Sequence, residues 1–124
     1  MTDLASFSSE THQPDTLIAG PLPIAAAKAT LIAGENVARG AVLGKITASG
    51  KYNLSLSAAV DGSQVPDAIA AQAVDATAGD TEILVYTRGD FNQDALTLGA
   101  AHTIASIREG LRDKSIHLVK VQES

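Results

Sequence analysis

The clearest pattern in the chain is an alternation of apolar and polar residues that follows a glycine-containing turn. Tyr52, Leu54 and Leu56 alternate with polar residues, which places their side chains on one face of a strand. A second predicted strand, residues 41–47, lies before this one, and Ser49-Gly50 lies between the two. Because glycine supplies the positive φ that tight turns require, the pattern predicts an antiparallel hairpin at this position.

Further runs predict β structure through most of the chain. Residues 24–32 fit a strand or a helix, and their β-branched members favour a strand. Residues 82–87 carry apolar side chains on both faces, which predicts a central strand that is covered on both sides. Gly89 then predicts a turn after this strand. Two further strands are predicted in segments 68–74 and 116–121.

The last third of the chain changes to a helical period. Thr103 is a predicted N-cap, and Ile104, Ile107 and Leu111 follow on one side of a helix at spacings i, i+3 and i+7. Gly110 costs such a helix up to about 1 kcal/mol. The apolar stripe packs on the chain's own sheet in the favoured interpretation, and in part at a subunit interface in the other. The pattern as a whole predicts a fold that is mainly β with minor α (α+β).

The N-terminal segment differs from the rest because it is polar and has no strand or helix period. We expect residues 1–20 to form an arm and residues 21–124 to form one β-rich domain. The arm is either an unstructured terminus or a segment that orders on a partner. A short β-prone patch favours the second interpretation, because such a patch can add a strand to a neighbour's exposed sheet edge. The candidate binding residues are Thr16, Leu17, Ile18, Ala19 and Pro21.

Composition limits the partners of this chain. Its 124 residues suffice for one domain. Because only 3% of them are aromatic, the core would consist of small aliphatic side chains, and we expect association with other subunits to contribute to its stability. The net charge of −5 repels phosphates and argues against direct nucleic-acid binding. The first nine residues lack the features of a secretory signal, and no apolar run approaches the roughly 20 residues that span a bilayer. We therefore expect neither a membrane nor a nucleic acid as partner.

The chemistry-bearing residues form no recognisable constellation in the sequence. The chain has no cysteine, and His12, His102 and His117 lack the spacing of metal ligands, so we predict no metal or cofactor. Serine, histidine and aspartate are present without a Gly-x-Ser-x-Gly motif. Arg88-Gly89-Asp90 spells an adhesion tripeptide, but three-residue strings recur by chance. The sequence therefore predicts no catalytic residues and no enzyme.

The order of several short stretches resembles the head decoration proteins of tailed bacteriophages, the family of the phage lambda decoration protein. The resemblance spans residues 22–121, and the order and spacing of its parts carry it. The principal stretches are Arg39-Gly40-Ala41-Val42-Leu43-Gly44, Gly50-Lys51-Tyr52, Ala59-Val60-Asp61-Gly62-Ser63-Gln64, Pro66-Asp67-Ala68-Ile69, Val74-Asp75-Ala76-Thr77, Val85-Tyr86, Gly89-Asp90-Phe91-Asn92, Leu111-Arg112 and Ile116.

This resemblance implies a structural protein of the virion. Its implied fold is a β-clip-like single domain with a flexible N-terminal arm, and its implied assembly is a homotrimer. Such trimers are made in the host cytoplasm and bind the major capsid protein at local three-fold sites on the outer surface of the expanded head. There they reinforce the shell against DNA pressure, and the arm makes much of the contact. The alternative that we keep open is a trimeric β-clip binding module of an appendage, for carbohydrate or surface adhesion.

Overall fold

The computed structural model describes residues 17–20 and 23–120, and these form a single, mainly β domain with one α-helix. The predicted class, mainly β with minor α, is confirmed. A short 3-10 helix, Gln93–Ala95, follows the longest strand. The strands are β1 Ala25–Leu31, β2 Asn36–Val37, β3 Val42–Lys45, β4 Tyr52–Leu54, β5 Pro66–Ala70, β6 Val74–Asp75, β7 Thr81–Asn92 and β8 Ile116–Val119, and the helix is α1 Ile104–Arg112.

Five strands close into a ring in the order β1, β4, β3, β5, β7 and back to β1. The pairing of β1 with β7 is antiparallel and runs the whole length of β1. The ring is closed by a single parallel pair, Leu31 with Tyr52, next to which the Ile32 amide donates to the Tyr52 carbonyl at 2.9 Å. Strand β8 lies parallel to the end of β7, and β2 pairs with β6 in a separate two-stranded sheet. The ring thus has an inside and an outside, and each holds a core.

The two cores lie on opposite faces of the same strands. Successive side chains of a strand point to opposite faces, so Leu43 packs inside the ring and Val42 packs outside it. On the outside, Ile69 of β5 joins Val42 and meets Ile107 and Leu111 of α1. The apolar stripe of the helix therefore packs on the chain's own sheet, as the favoured interpretation predicted.

Local signals in the sequence gave the hairpin turn and the helix correctly, but β4 ends at Leu54, so Leu56, which was predicted on the same strand, lies in the following loop. Strands β3 and β4 pair antiparallel, and Gly50 between them has a φ of +76°. Thr103 is the N-cap of α1, since its hydroxyl oxygen accepts from the Ser106 amide at 3.1 Å while the Ser106 hydroxyl oxygen accepts from the Thr103 amide at 2.9 Å. This reciprocal pair satisfies two amides that the first turn of a helix leaves without intrahelical partners.

The prediction that residues 82–87 are covered on both faces is wrong at Leu84, although Tyr86 on the same face packs against the outer core. Ile83 and Val85 are fully buried inside the ring, but Leu84 on the other face is 38% exposed and lies opposite Lys28 of β1. The predicted turn at Gly89 is wrong as well, because β7 continues through this residue, which has a φ of +145°. An apolar side chain shows which face could be covered, but whether an element covers that face depends on distant parts of the chain.

Replacing Gly44 of β3 with alanine is expected to destabilise the ring by about 1–3 kcal/mol, the usual cost of overpacking. A Cβ at this position would lie 1.9 Å from the Ser63 carbonyl oxygen, so the strand and the loop at Ser63 would have to separate. Urea denaturation measures the loss. Gly79→Ala is the matched control, since a Cβ there meets nothing within 4 Å, and it should leave stability nearly unchanged. Equal losses in both variants would contradict the steric explanation.

Candidate functional site

The described part of the candidate binding patch, Leu17–Ala19, forms a short strand on the chain's own sheet. Ile18 pairs antiparallel with Phe91 of β7. The Ala19 amide donates to the Asp90 carbonyl at 2.9 Å, and the Asn92 amide donates to the Leu17 carbonyl at 2.8 Å. This patch therefore adds a strand to β7 of the same molecule, on the edge opposite β8.

The side chains of the patch are packed unequally. Leu17 is 3% exposed and belongs to the outer core with Phe91, while Ile18 is half-buried against that core and Ala19 is half-buried. Thr16 and Pro21, the other two predicted binding residues, lie outside the described residues. The role of all five in binding a capsid, and the division of the chain at residue 20, stay predictions.

An arginine supports the strand to which the patch is attached, and sequence reasoning gave it no role. Arg39 donates through Nη1 to the Ala71 carbonyl and to the Tyr86 hydroxyl, each at 2.8 Å. Its guanidinium lies 5.4 Å from the centre of the Tyr86 ring, whose centre is 5.4 Å from that of Phe91. Arg39 thereby holds Tyr86, and Tyr86 packs against the phenylalanine that pairs with Ile18. In the sequence, Arg39 was visible only as the first residue of a stretch that resembles the decoration proteins. Nothing in that stretch indicated which groups its side chain would contact.

A buried serine and a histidine meet although they are far apart in sequence. The Ser55 hydroxyl donates to the Ser63 carbonyl at 2.7 Å, and Nε2 of His102 lies 3.1 Å from the same hydroxyl oxygen. A carbonyl can only accept, so the serine proton points to Ser63 and Nε2 is the donor to the serine. In this arrangement the imidazole does not serve as a base for the hydroxyl. The contact joins two loops, and no spacing in the sequence indicated it.

Two carboxylates in turns, those of Asp61 and Asp75, are bound to donors two residues away. Asp61 accepts from the hydroxyl and the amide of Ser63, and these bonds hold its pKa below the usual range. Asp75 is held in the same way by the hydroxyl and amide of Thr77, again with a lowered pKa. Hydrogen bonds to deprotonated carboxylates favour the charged form. These side chains therefore act on their own loops.

Two other titratable groups hold separate segments together. Asp80 has a lowered pKa because Lys51 donates to it and because the Ala33 amide donates at 2.8 Å. Burial, followed by a 2.8 Å hydrogen bond to Asp67 and the charge of that carboxylate, raises the pKa of Tyr52 to about 12. Within residues 17–20 and 23–120, no three residues among His, Asp and Glu are grouped as metal ligands. The described helices include none that could span a membrane.

Comparison with known proteins gives the family of the chain. No curated protein matches the sequence at a significant level. A family model, the bacteriophage lambda head decoration protein D, matches residues 6–117 and so covers most of the chain. This match confirms the resemblance that the order of motifs suggested. The matched range includes the Leu17–Ala19 strand, the ring and the helix, and the chain therefore belongs to the family of the bacteriophage lambda head decoration protein D.

Proposed function

We propose that this phage head decoration protein binds as a homotrimer to the major capsid protein, at local three-fold sites on the outer surface of the expanded head, and stabilises the shell against DNA pressure. The family match over residues 6–117 is the observation that carries the proposal. The net charge of −5 supports an outer location, because an acidic protein inside the head would be repelled by the packaged DNA.

The geometry of the Leu17–Ala19 strand supports an arm that transmits force. The chain enters the described body at Leu17, where a buried side chain and two main-chain hydrogen bonds tie it to β7. Residues 1–16 precede this anchor and span at most about 55 Å when fully extended. If these residues bind the capsid, a force that pulls on the arm is transmitted to the sheet through Leu17 and Phe91.

Three arms on one trimer would act together. Each contact need only be weak, since linked contacts raise the overall affinity by roughly 100-fold or more when all can engage at once. A trimer that contacts several capsid subunits at once binds the assembled shell more tightly than it binds separated subunits. Such selective binding stabilises the assembled state by mass action.

This function requires no chemical reaction. The Ser55 proton is directed to a carbonyl, and the turn carboxylates of Asp61 and Asp75 are engaged by donors two residues away. These groups therefore hold loops in place. We propose that the protein works by binding alone and is not an enzyme.

Electron microscopy of expanded shells mixed with the purified protein tests the proposal. Trimeric density at local three-fold sites on the outer surface is the expected result, together with greater resistance of the decorated shells to heat or pressure. Absence of binding to the cognate shells would contradict the proposal. If the protein were then retained on a glycan column, the alternative of an appendage binding module would take its place.

A further inference from the structure

Two uncharged stretches of this chain lie far apart in the sequence. The chain has nine basic and fourteen acidic residues, but none lies in 52–60 or in 95–107. The first stretch runs from β4 into the loop before β5, and the second runs from the 3-10 helix into α1. In the sequence they are separated by more than thirty residues, which include the whole of β7.

The fold brings these two stretches into contact. The Ser57 amide donates to the Ala100 carbonyl at 3.2 Å, and Ser55 contacts His102 as described above. Gly99 lies so close to the Ser55 carbonyl that a Cβ on Gly99 would be 1.9 Å from its oxygen. The two loops therefore form one surface. We name residues 56–60 together with 99–102 the uncharged face.

The uncharged face exposes apolar side chains to solvent. Val60 is 95% exposed and Leu56 is 41% exposed. Ala58, Ala100 and Ala101 are exposed beside them. The backbone of Ala101 has a φ of 69°, a conformation that non-glycine residues rarely adopt, so the loop holds an alanine methyl group on this face against its local preference. Exposed apolar side chains without charges are typical of the centre of a protein interface.

We propose that the uncharged face is the surface through which copies of this chain contact each other in the trimer. This inference rests on the proposed function, which requires a trimer. Each copy carries a net charge of −5, so copies repel each other wherever like charges would be buried. Residues close to a three-fold axis also meet their own copies, and any charge there would face two equal charges. A face without charges can be buried against its own copies at no cost in like-charge repulsion.

Leu84, an exposed apolar side chain on strand β7, is placed differently. Leu84 lies on the outer face of β1 and β7, where Lys28 is opposite it and Glu82 pairs with Lys28 at 3.5 Å. Burial of that face against another copy would remove both charges from water, which is unfavourable unless the geometry compensates. The distribution of charge thus favours the uncharged face over the outer face of β1 and β7.

The substitution Val60→Asp tests the inference. Val60 is almost completely exposed, so aspartate should leave the fold intact, as circular dichroism would show. In light scattering coupled to size exclusion, Val60→Asp should fall to one third of the wild-type mass at a concentration where the wild type is trimeric. Val60→Ile should keep the trimer. Leu84→Asp is the matched control, and it should also remain trimeric because its position lies outside the uncharged face.

The outcomes separate this inference from the proposed function. A trimeric wild type together with a trimeric Val60→Asp would overturn the inference and leave the proposed function in place. If that trimeric variant also failed to decorate shells, the uncharged face would belong to the capsid contact. Loss of the trimer in Leu84→Asp but not in Val60→Asp would move the interface to β1 and β7. A monomeric wild type that still decorates shells would overturn both the inference and the proposed trimer.

Discussion

A variant that lacks residues 1–16 is expected to fold normally but to bind expanded shells at least about 100-fold more weakly than the full chain, since it loses the avidity of three linked arms. The variant keeps the Leu17–Ala19 strand, both cores and the uncharged face. Its free energy of unfolding should therefore stay close to that of the full chain. Titration of shells with labelled protein measures the affinity, and urea denaturation measures the stability.

The control for this deletion keeps the length of the arm and changes its sequence. A variant in which residues 2–16 are replaced by glycine and serine should bind shells as weakly as the deletion, if the native side chains make the contact. Unchanged affinity in the deletion variant would refute the role of the arm. The body would then carry the whole contact with the capsid.

Leu17→Ala is expected to lower the free energy of unfolding of the isolated protein by about 2–5 kcal/mol, the usual cost of truncating a buried leucine. Leu17 is 3% exposed and packs in the outer core with Phe91, so the substitution leaves a cavity between the N-terminal strand and β7. Urea denaturation by circular dichroism measures the loss. The strand should detach more readily, and shell binding should weaken because the arm loses its anchor.

Leu84→Ala is the control for this substitution, because it removes the same atoms from a side chain that is 38% exposed. Its loss of stability should be well below that of Leu17→Ala. If Leu17→Ala weakened shell binding without any loss of stability, the Leu17 side chain would contact the capsid and not the core. That result would support the direct contact that the sequence suggested for Leu17.

The deletion of residues 1–16 and the substitution Leu17→Ala distinguish two roles of the N-terminal segment, contact with the capsid and attachment to the body. The sequence could not distinguish these roles. The patch Leu17–Ala19 has the composition of a segment that adds to an edge strand, and the structure contains such an addition within the molecule. The anchor fixes where the arm leaves the body, and the residues before it remain available for the partner in our proposal. Because Leu17 is buried, it can anchor the arm to the body, while the residues before it make the contact with the capsid in our proposal.

The sequence by itself determined the elements whose signals are local. The turn at Gly50 depends on one positive φ, and the start of α1 depends on Thr103 and Ser106, which are three residues apart. The order of the motifs also gave the family, since the matching model covers residues 6–117. Each of these signals involves neighbouring residues or their order, and both can be read along the chain.

Only the tertiary structure decided which surfaces are covered and which segments meet. Ile18 pairs with Phe91, and Ser55 contacts His102 across 47 residues. Leu84 is left exposed although its strand is apolar on both faces. The period of a strand shows the direction in which its side chains point, but not the element that packs against them. Contacts between distant segments follow from the closure of the ring, which depends on the pairing of all five strands at once.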